Sequence, residues 1–216
     1  MKRTNIFSCP IWEWDNLPID NSKLEQHVYT LMERDPEFRN PEGYSGLILK
    51  WKSYNLTSKD FLAFPETGKL IALIKELVVP CIAELNPRDS ATFVLQEVWF
   101  NVYPPLASLE SHPHVGNVLS GTYYIKAKPN CGDLAFLTGD NSTYYNFAAK
   151  YFHNRNDITA IKHLVKPVEN SMIVAPSHLM HAVKENRSEE DRISLSFNFK
   201  VVSDNTYTPN DKYFKI

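Results

Sequence analysis

Cysteine is scarce and poorly placed for structure: Cys9, Cys81 and Cys131 are the only three in 216 residues. An odd number at wide spacing excludes a complete disulfide framework and offers no zinc-type pair. The simple reading is a reducing, cytosolic compartment. Long apolar runs are also missing. No stretch of about 18 apolar residues occurs, so no membrane-spanning helix is expected. The opening Met1–Phe7 segment has two basic residues but no apolar run of signal-peptide length. Charge of one sign is lacking too, since 23 Lys and Arg face 25 Asp and Glu for a net charge of −2. That balance gives no global footprint for nucleic acid or an anionic membrane, and neither is expected as a partner. Internal repeats and low-complexity tracts are absent.

Aromatics, by contrast, are abundant. Eleven Tyr and 12 Phe suit a β-rich fold with an aromatic-lined cavity. The length fits a single domain over 1–216 with a core that needs no staples. Residues 1–90 read as helical support with the first strands. Asn21-Ser22 looks like a polar cap before Leu24, Val28, Leu31 and Met32 at helical spacing. Thr67-Gly68 introduces an apolar stripe through Leu70, Leu73, Ile74, Leu77, Cys81 and Leu85. Pro80 inside that stripe is expected to kink or end the helix near Val79. Gly46 to Trp51 reads as strand.

From residue 91 the hydrophobic period changes to two. Ala91 to Tyr103 is a long strand with Val94, Val98, Phe100 and Val102 on one side, Gln96 being the exception. Phe93, Leu95, Glu97, Trp99, Asn101 and Tyr103 fall on the other, and Trp99 and Asn101 look like the wall of a substrate pocket. Leu119–Lys126, Asp133–Leu137, Ser171–Ala175 and Arg192–Val201 are further strands. Residues 138–170 have weak periodicity and read as a loop or lid, with 202–216 as a C-terminal tail. Strands following a helical half suggest an antiparallel jelly roll over 91–201, backed by helices.

His112-Pro113-His114 carries the most chemistry. Side chains alternate along a strand, so these two imidazoles share a side. After Pro176-Ser177 come His178 and His181. His181 is the preferred third ligand, from its spacing to Arg192, and His178 the alternative. Three imidazoles on one face with open positions opposite suit a non-haem iron that must also bind an organic acid and dioxygen. Along the last strand Arg192, Ser194, Ser196 and Asn198 point one way, while Ile193, Leu195, Phe197 and Phe199 point the other. That polar face is either solvated, as in most antiparallel sheets, or lines a barrel interior. In the second case an Arg192 fork, helped by Ser194, could grip a carboxylate. His27, His153 and His163 have no paired neighbours and read as surface or structural.

Taken together, Val98–Val102, His112-Pro113-His114, Leu119–Tyr124, Gly132–Phe136, Ala175–His181 and Arg192–Asn198 resemble the 2-oxoglutarate/Fe(II)-dependent oxygenases. The likeness is to a small group of these found in marine bacteria and bacteriophages. It spans roughly residues 95–200, and it implies a mainly β fold with N-terminal helices, a double-stranded β-helix of the jelly-roll, cupin-like kind. It further implies Fe(II) and 2-oxoglutarate as cofactors with dioxygen as co-substrate, hydroxylation of a substrate, and a cytoplasmic enzyme, in the host cytoplasm if phage-encoded. By position His112, His114 and His181 match the metal ligands and Arg192 the arginine that pairs with the far carboxylate of 2-oxoglutarate. Tyr103 and Tyr124 match tyrosines that hydrogen-bond the co-substrate in prolyl-hydroxylase-like relatives.

The departure is His114, which stands where the family's motif has Asp or Glu. Two other readings follow from it. One is a three-histidine dioxygenase that needs no 2-oxoglutarate. The other is a non-catalytic jelly-roll binding module with structural histidines or a closed zinc site.

Overall fold

The computed structural model describes residues 9–34, 64–138, 160–203 and 214–215. The expected strand at Gly46–Trp51, the lid tyrosines Tyr144, Tyr145 and Tyr151, and His153 lie outside them.

Two packed antiparallel sheets form the body. Strands β1 (Trp12–Trp14), β2 (Ala91–Tyr103), β4 (Leu119–Lys126), β7 (Met172–Pro176), β9 (Arg192–Ser203) and β10 (Phe214–Lys215) make the larger one, in the order β1-β7-β4-β9-β2-β10. The smaller sheet runs β3-β8-β5-β6, from β3 (Leu109–His112), β5 (Leu134–Leu137), β6 (Lys162–Val165) and β8 (Met180–Val183). This is the expected mainly β jelly roll with helices behind it. Two details differ. Strand β6 lies inside the stretch read as loop, where only four residues pair with β5 and leave too short a period to detect. Beyond residue 201, β9 runs on to Ser203, and Phe214–Lys215 pair with β2.

Helices α1 (Asn21–Arg34) and α2 (Pro65–Glu84) cover the outer face of the large sheet. Leu24, Val28, Leu70, Ile74 and Val78 are buried in one cluster with Val98, Phe100, Leu195 and Phe197. Burying each such side chain contributes about 1.5–3 kcal/mol. The cap of α1 is Asp20, whose carboxylate accepts the Ser22 hydroxyl and, at 3.4 Å, the Lys23 N–H. Asn21 is instead the first helical residue and docks on β4. Its amide donates to the Ile125 carbonyl at 2.7 Å, and it accepts the Tyr123 hydroxyl at 2.6 Å. Pro65 opens α2, and Pro80 does not end it, since the helix continues to Glu84. Pro80 is exposed, so water can satisfy the carbonyl it orphans while the buried stripe holds the opposite side.

The two faces of β2 are not continuous. Its register against β9 shifts between Leu95 and Glu97, with Leu95 opposite Phe199 and Glu97 opposite Asn198. A bulge at Gln96 therefore swaps the faces. Phe93 and Leu95 join the helix-side core rather than the cavity wall expected for them. Only from Glu97 onward do Trp99, Asn101 and Tyr103 look inward. Gly121, midway along β4, is set by packing: a Cβ there would collide with the Phe197 ring and lie 2.6 Å from the Ile173 carbonyl oxygen.

Candidate metal centre

Pairing across the large sheet aligns its inward residues in rows, because directly opposed residues share a face. Glu97, Asn198 and Ser120 make one row; Trp99, Ser196 and Thr122 the next; Asn101, Ser194 and Tyr124 the third; Tyr103 and Arg192 the last. Arg192, Ser194 and Asn198 are 1%, 2% and 3% exposed. The polar face of β9 thus faces the interior, and the solvated-face alternative is excluded. A mostly apolar cavity lies between the sheets, lined by Trp99, Asn101, Tyr103, Arg192 and Ser194 together with Leu109, Leu134, Phe136 and Val183.

The three histidines meet at this cavity. His112 ends β3 and stands directly opposite His181 on β8. His114 lies two residues beyond the strand, held there because its N–H donates to the Ser177 carbonyl at 2.9 Å. One ring nitrogen from each comes within 4.8 Å of the other two. His178, the alternative third ligand, is exposed, and its Nε2 lies 3.8 Å from Cys9 Sγ. His27 is buried against Phe64 and Thr67, and His163 sits exposed on β6.

The outer nitrogens explain which way the rings present themselves. His112 Nδ1 lies 2.9 Å from the Glu110 carbonyl and His181 Nδ1 2.9 Å from the Leu179 carbonyl. A carbonyl only accepts, so both Nδ1 atoms carry a proton, which leaves Nε2 of each as the nitrogen that a metal would take. His114 Nδ1 is 2.7 Å from Asn198 Oδ1 and 2.8 Å from Ser120 Oγ. Its Nε2 is 3.3 Å from that of His112. Three imidazoles with Nδ1 turned to oxygens and Nε2 turned inward are the donor set that Zn(II), Fe(II) or Ni(II) takes. The centre is open, because its ligand atoms face the cavity.

At the other end of the cavity Arg192 is clamped between two rings, its guanidinium carbon 5.3 Å from the centres of both Tyr103 and Tyr124. Nη1 donates to the Gly132 carbonyl at 2.9 Å. The contacts of Arg192 among the described residues are this carbonyl and the two rings, with no carboxylate among them, and both its Nε and the Tyr124 hydroxyl are buried without a hydrogen-bond partner there. Burial pushes the Tyr103 and Tyr124 phenols up to about 12 against the pull of the guanidinium. Both stay protonated at neutral pH and can donate. A buried cation with no counter-ion among the described residues, beside a hydroxyl without a partner there, fits an incoming carboxylate.

Of the residues expected in the pocket, Trp99 and Asn101 line it, the indole N–H donating to Asn101 Oδ1 at 3.0 Å. Asn198 does not line it; it stands behind His114. Several participants escaped the sequence reading, among them Ser120, Ser177, Thr122 and Glu97. The alternation of Ser120, Thr122 and Tyr124 along β4 was the signal available for two of them.

Residues 97–198 match the model of a family described as "Putative 2OG-Fe(II) oxygenase". No curated protein sequence matches the chain. Among solved structures, the chain resembles the non-haem α-ketoglutarate-dependent carbocyclase SnoK from nogalamycin biosynthesis, with TM-score 0.61, 10% identity, and 95% of this chain and 91% of that one covered. A Pseudomonas putida prolyl-4-hydroxylase gives TM-score 0.57 at 17% identity, over 88% of this chain and 91% of that one. HygX from Streptomyces hygroscopicus, with nickel and 2-oxoglutarate bound, gives 0.52 at 12% identity, over 88% and 82%. At such identities the structural likeness is one of fold. The matched segment nevertheless holds all three cavity histidines and Arg192, so residues 97–198 carry the sequence pattern of a 2OG-Fe(II) oxygenase domain on the jelly-roll fold that 2OG oxygenases share.

Proposed function

We propose that the protein is an Fe(II)- and 2-oxoglutarate-dependent oxygenase that hydroxylates its substrate. The observation that carries this reading is one cavity holding two complementary sites: three converging imidazoles, and a buried Arg192 with no acid partner among the described residues. His112, His114 and His181 would hold the metal. Arg192, with the Tyr124 hydroxyl and the Ser194 side of the cavity, would receive the far carboxylate of 2-oxoglutarate. Bound iron would supply the activation of dioxygen that couples oxidation of 2-oxoglutarate to succinate with oxidation of a C–H bond.

The chain's own part is binding, orientation and dryness. The Tyr103–Arg192–Tyr124 sandwich fixes the guanidinium before the acid arrives, which reduces the ordering cost of binding. Leu109, Leu134, Phe136 and Val183 keep the opposite wall apolar, which limits access of bulk water to the reacting centre. The nickel and 2-oxoglutarate in HygX support the same pairing of metal and acid here.

His114 in place of a carboxylate favours the second reading, a three-histidine dioxygenase without 2-oxoglutarate. Arg192 argues against it, because a buried guanidinium with no acid partner among the described residues is matched by the far carboxylate of 2-oxoglutarate. Anaerobic addition of Fe(II) and 2-oxoglutarate separates the two. A visible charge-transfer band that is lost in His114→Ala, with succinate formation lost in Arg192→Ala, is the expected result. Oxygen uptake that is indifferent to 2-oxoglutarate would sink the proposal.

A further inference from the structure

Where His112 and His181 turn Nδ1 to a backbone carbonyl, His114 turns its Nδ1 to two side chains, Asn198 and Ser120. Its acceptor is the Asn198 amide oxygen at 2.7 Å, and the Asn198 amide nitrogen in turn donates to Glu97 Oε2 at 2.7 Å. The direction of this chain is forced. A carboxylate only accepts, so the amide must turn its nitrogen to Glu97 and its oxygen to His114, which fixes the proton on His114 Nδ1. Ser120 reinforces the arrangement. Its hydroxyl donates to Asn198 Oδ1 at 2.7 Å and stands 2.7 Å from Ser177 Oγ. Every link therefore runs toward the Glu97 carboxylate.

Glu97 reaches that place because of the Gln96 bulge. Without the face swap it would point at the helices, two residues on from Leu95. There it is half-buried and directly opposite the buried Asn198, whose amide N–H it accepts.

Resting on the metal-centre reading above, we propose that Glu97 is a positioning residue for the metal. Acting through Asn198, it locks His114 as an Nε2 donor and supplies, one step removed, the negative charge that the three imidazoles lack. Histidine ligands whose second nitrogen donates toward a carboxylate are better oriented and more basic, and loss of such a partner commonly weakens metal affinity about 10- to 100-fold.

The test is titration of the metal-free protein with Co(II), followed by its visible spectrum and by calorimetry. Glu97→Gln keeps the size and an acceptor oxygen but removes the charge, and should bind Co(II) about 10- to 100-fold more weakly with an altered spectrum. Adding Asn198→Asp to Glu97→Gln places a carboxylate directly against His114 Nδ1, and should restore most of the affinity. Unfolding temperatures of the metal-free variants check that folding is unchanged. Co(II) affinity unaffected by Glu97→Gln, while His181→Ala abolishes binding, overturns the role of Glu97 and leaves the metal centre standing. A Glu97→Gln loss that Asn198→Asp does not restore also overturns it, since packing alone would then explain the loss. Binding unchanged in both His112→Ala and His181→Ala would remove the metal centre and the proposal together.

Discussion

The Nε2 atoms of His112 and His114 face each other at 3.3 Å. The Nδ1 of each ring is turned to an oxygen, Glu110 O for His112 and Asn198 Oδ1 for His114. His181 brings a third ring nitrogen to the same place, so the three together offer one cation a common site.

Divalent metal should consequently stabilise the fold. At a free concentration 100 times the dissociation constant, binding adds about 2.7 kcal/mol, which for a chain of this length is roughly 5–11 °C in Tm. Differential scanning fluorimetry with Zn(II), Ni(II) or anaerobic Fe(II) should show this in the unmodified protein. The shift should vanish in His181→Ala. An equal shift in that variant would mean that the metal binds elsewhere.

Arg192 and Tyr124 should separate binding from stability. Arg192→Ala removes a charge-assisted partner, typically about 1.5–3 kcal/mol per such bond, so 2-oxoglutarate affinity should fall by about 100-fold. Tyr124→Phe removes only an orphaned buried hydroxyl. The empty protein should become no less stable, because an unmet polar group is lost, while 2-oxoglutarate binding weakens about tenfold. Calorimetry on the metal-loaded protein and thermal melts of the empty protein read the two quantities. A Tyr124→Phe protein that binds the acid as before would place the hydroxyl outside the site.

Much of this was legible in the sequence because period-two patterns and short histidine spacings are local. His112-Pro113-His114, His181 and the alternation from Arg192 to Phe199 each sit on one strand or its end. Whether the β9 polar face met water or a cavity was not legible, since that depends on the second sheet closing over it. The Gln96 bulge appeared only as a break in pattern, and its consequence, the turn of Phe93 and Leu95 to the helix side, depends on pairing with β9. Asn198 looked like pocket wall for the same reason: periodicity gives a face, not the neighbour standing in front of it. Pro80 does not end the helix because the carbonyl it orphans lies on the exposed side, where water can satisfy it, while the buried stripe holds the other side.

Acid sensitivity should localise partly to the junction of the two helices. The Ser22 hydroxyl and Lys23 hold the Asp20 carboxyl at about 2 rather than 3.8. The Asp20 N–H, with Lys69, holds the Glu66 carboxyl below its ordinary 4.5. Both folded values are depressed, so their contribution is fully present above the ordinary values and is lost as pH falls through the folded ones. For Glu66 the loss begins below 4.5, and for Asp20 it runs from 3.8 down to about 2. Asp20→Asn and Glu66→Gln should each flatten the fall of Tm between about pH 5 and pH 2. Curves parallel to that of the unmodified protein would show that these two carboxylates do not set the acid limit.

Gly132 ties the fold to the acid-binding end of the cavity. Its φ of +91° lies in the left-handed region, where a side chain is strained by about 1–3 kcal/mol. A Cβ there would also collide with the Lys184 carbonyl oxygen and lie 2.9 Å from that of Glu185. The same residue's carbonyl accepts Arg192 Nη1 at 2.9 Å. Gly132→Ala should therefore lower Tm and weaken 2-oxoglutarate binding together, because the turn cannot shift without moving the arginine's anchor. Gly68→Ala is the matched control. It lies within α2 with nothing within 4 Å of the added carbon, and should stabilise the protein by about 0.4–1 kcal/mol with acid binding unchanged. Loss of stability in Gly132→Ala without loss of affinity would show that Arg192 keeps its position without the Gly132 carbonyl.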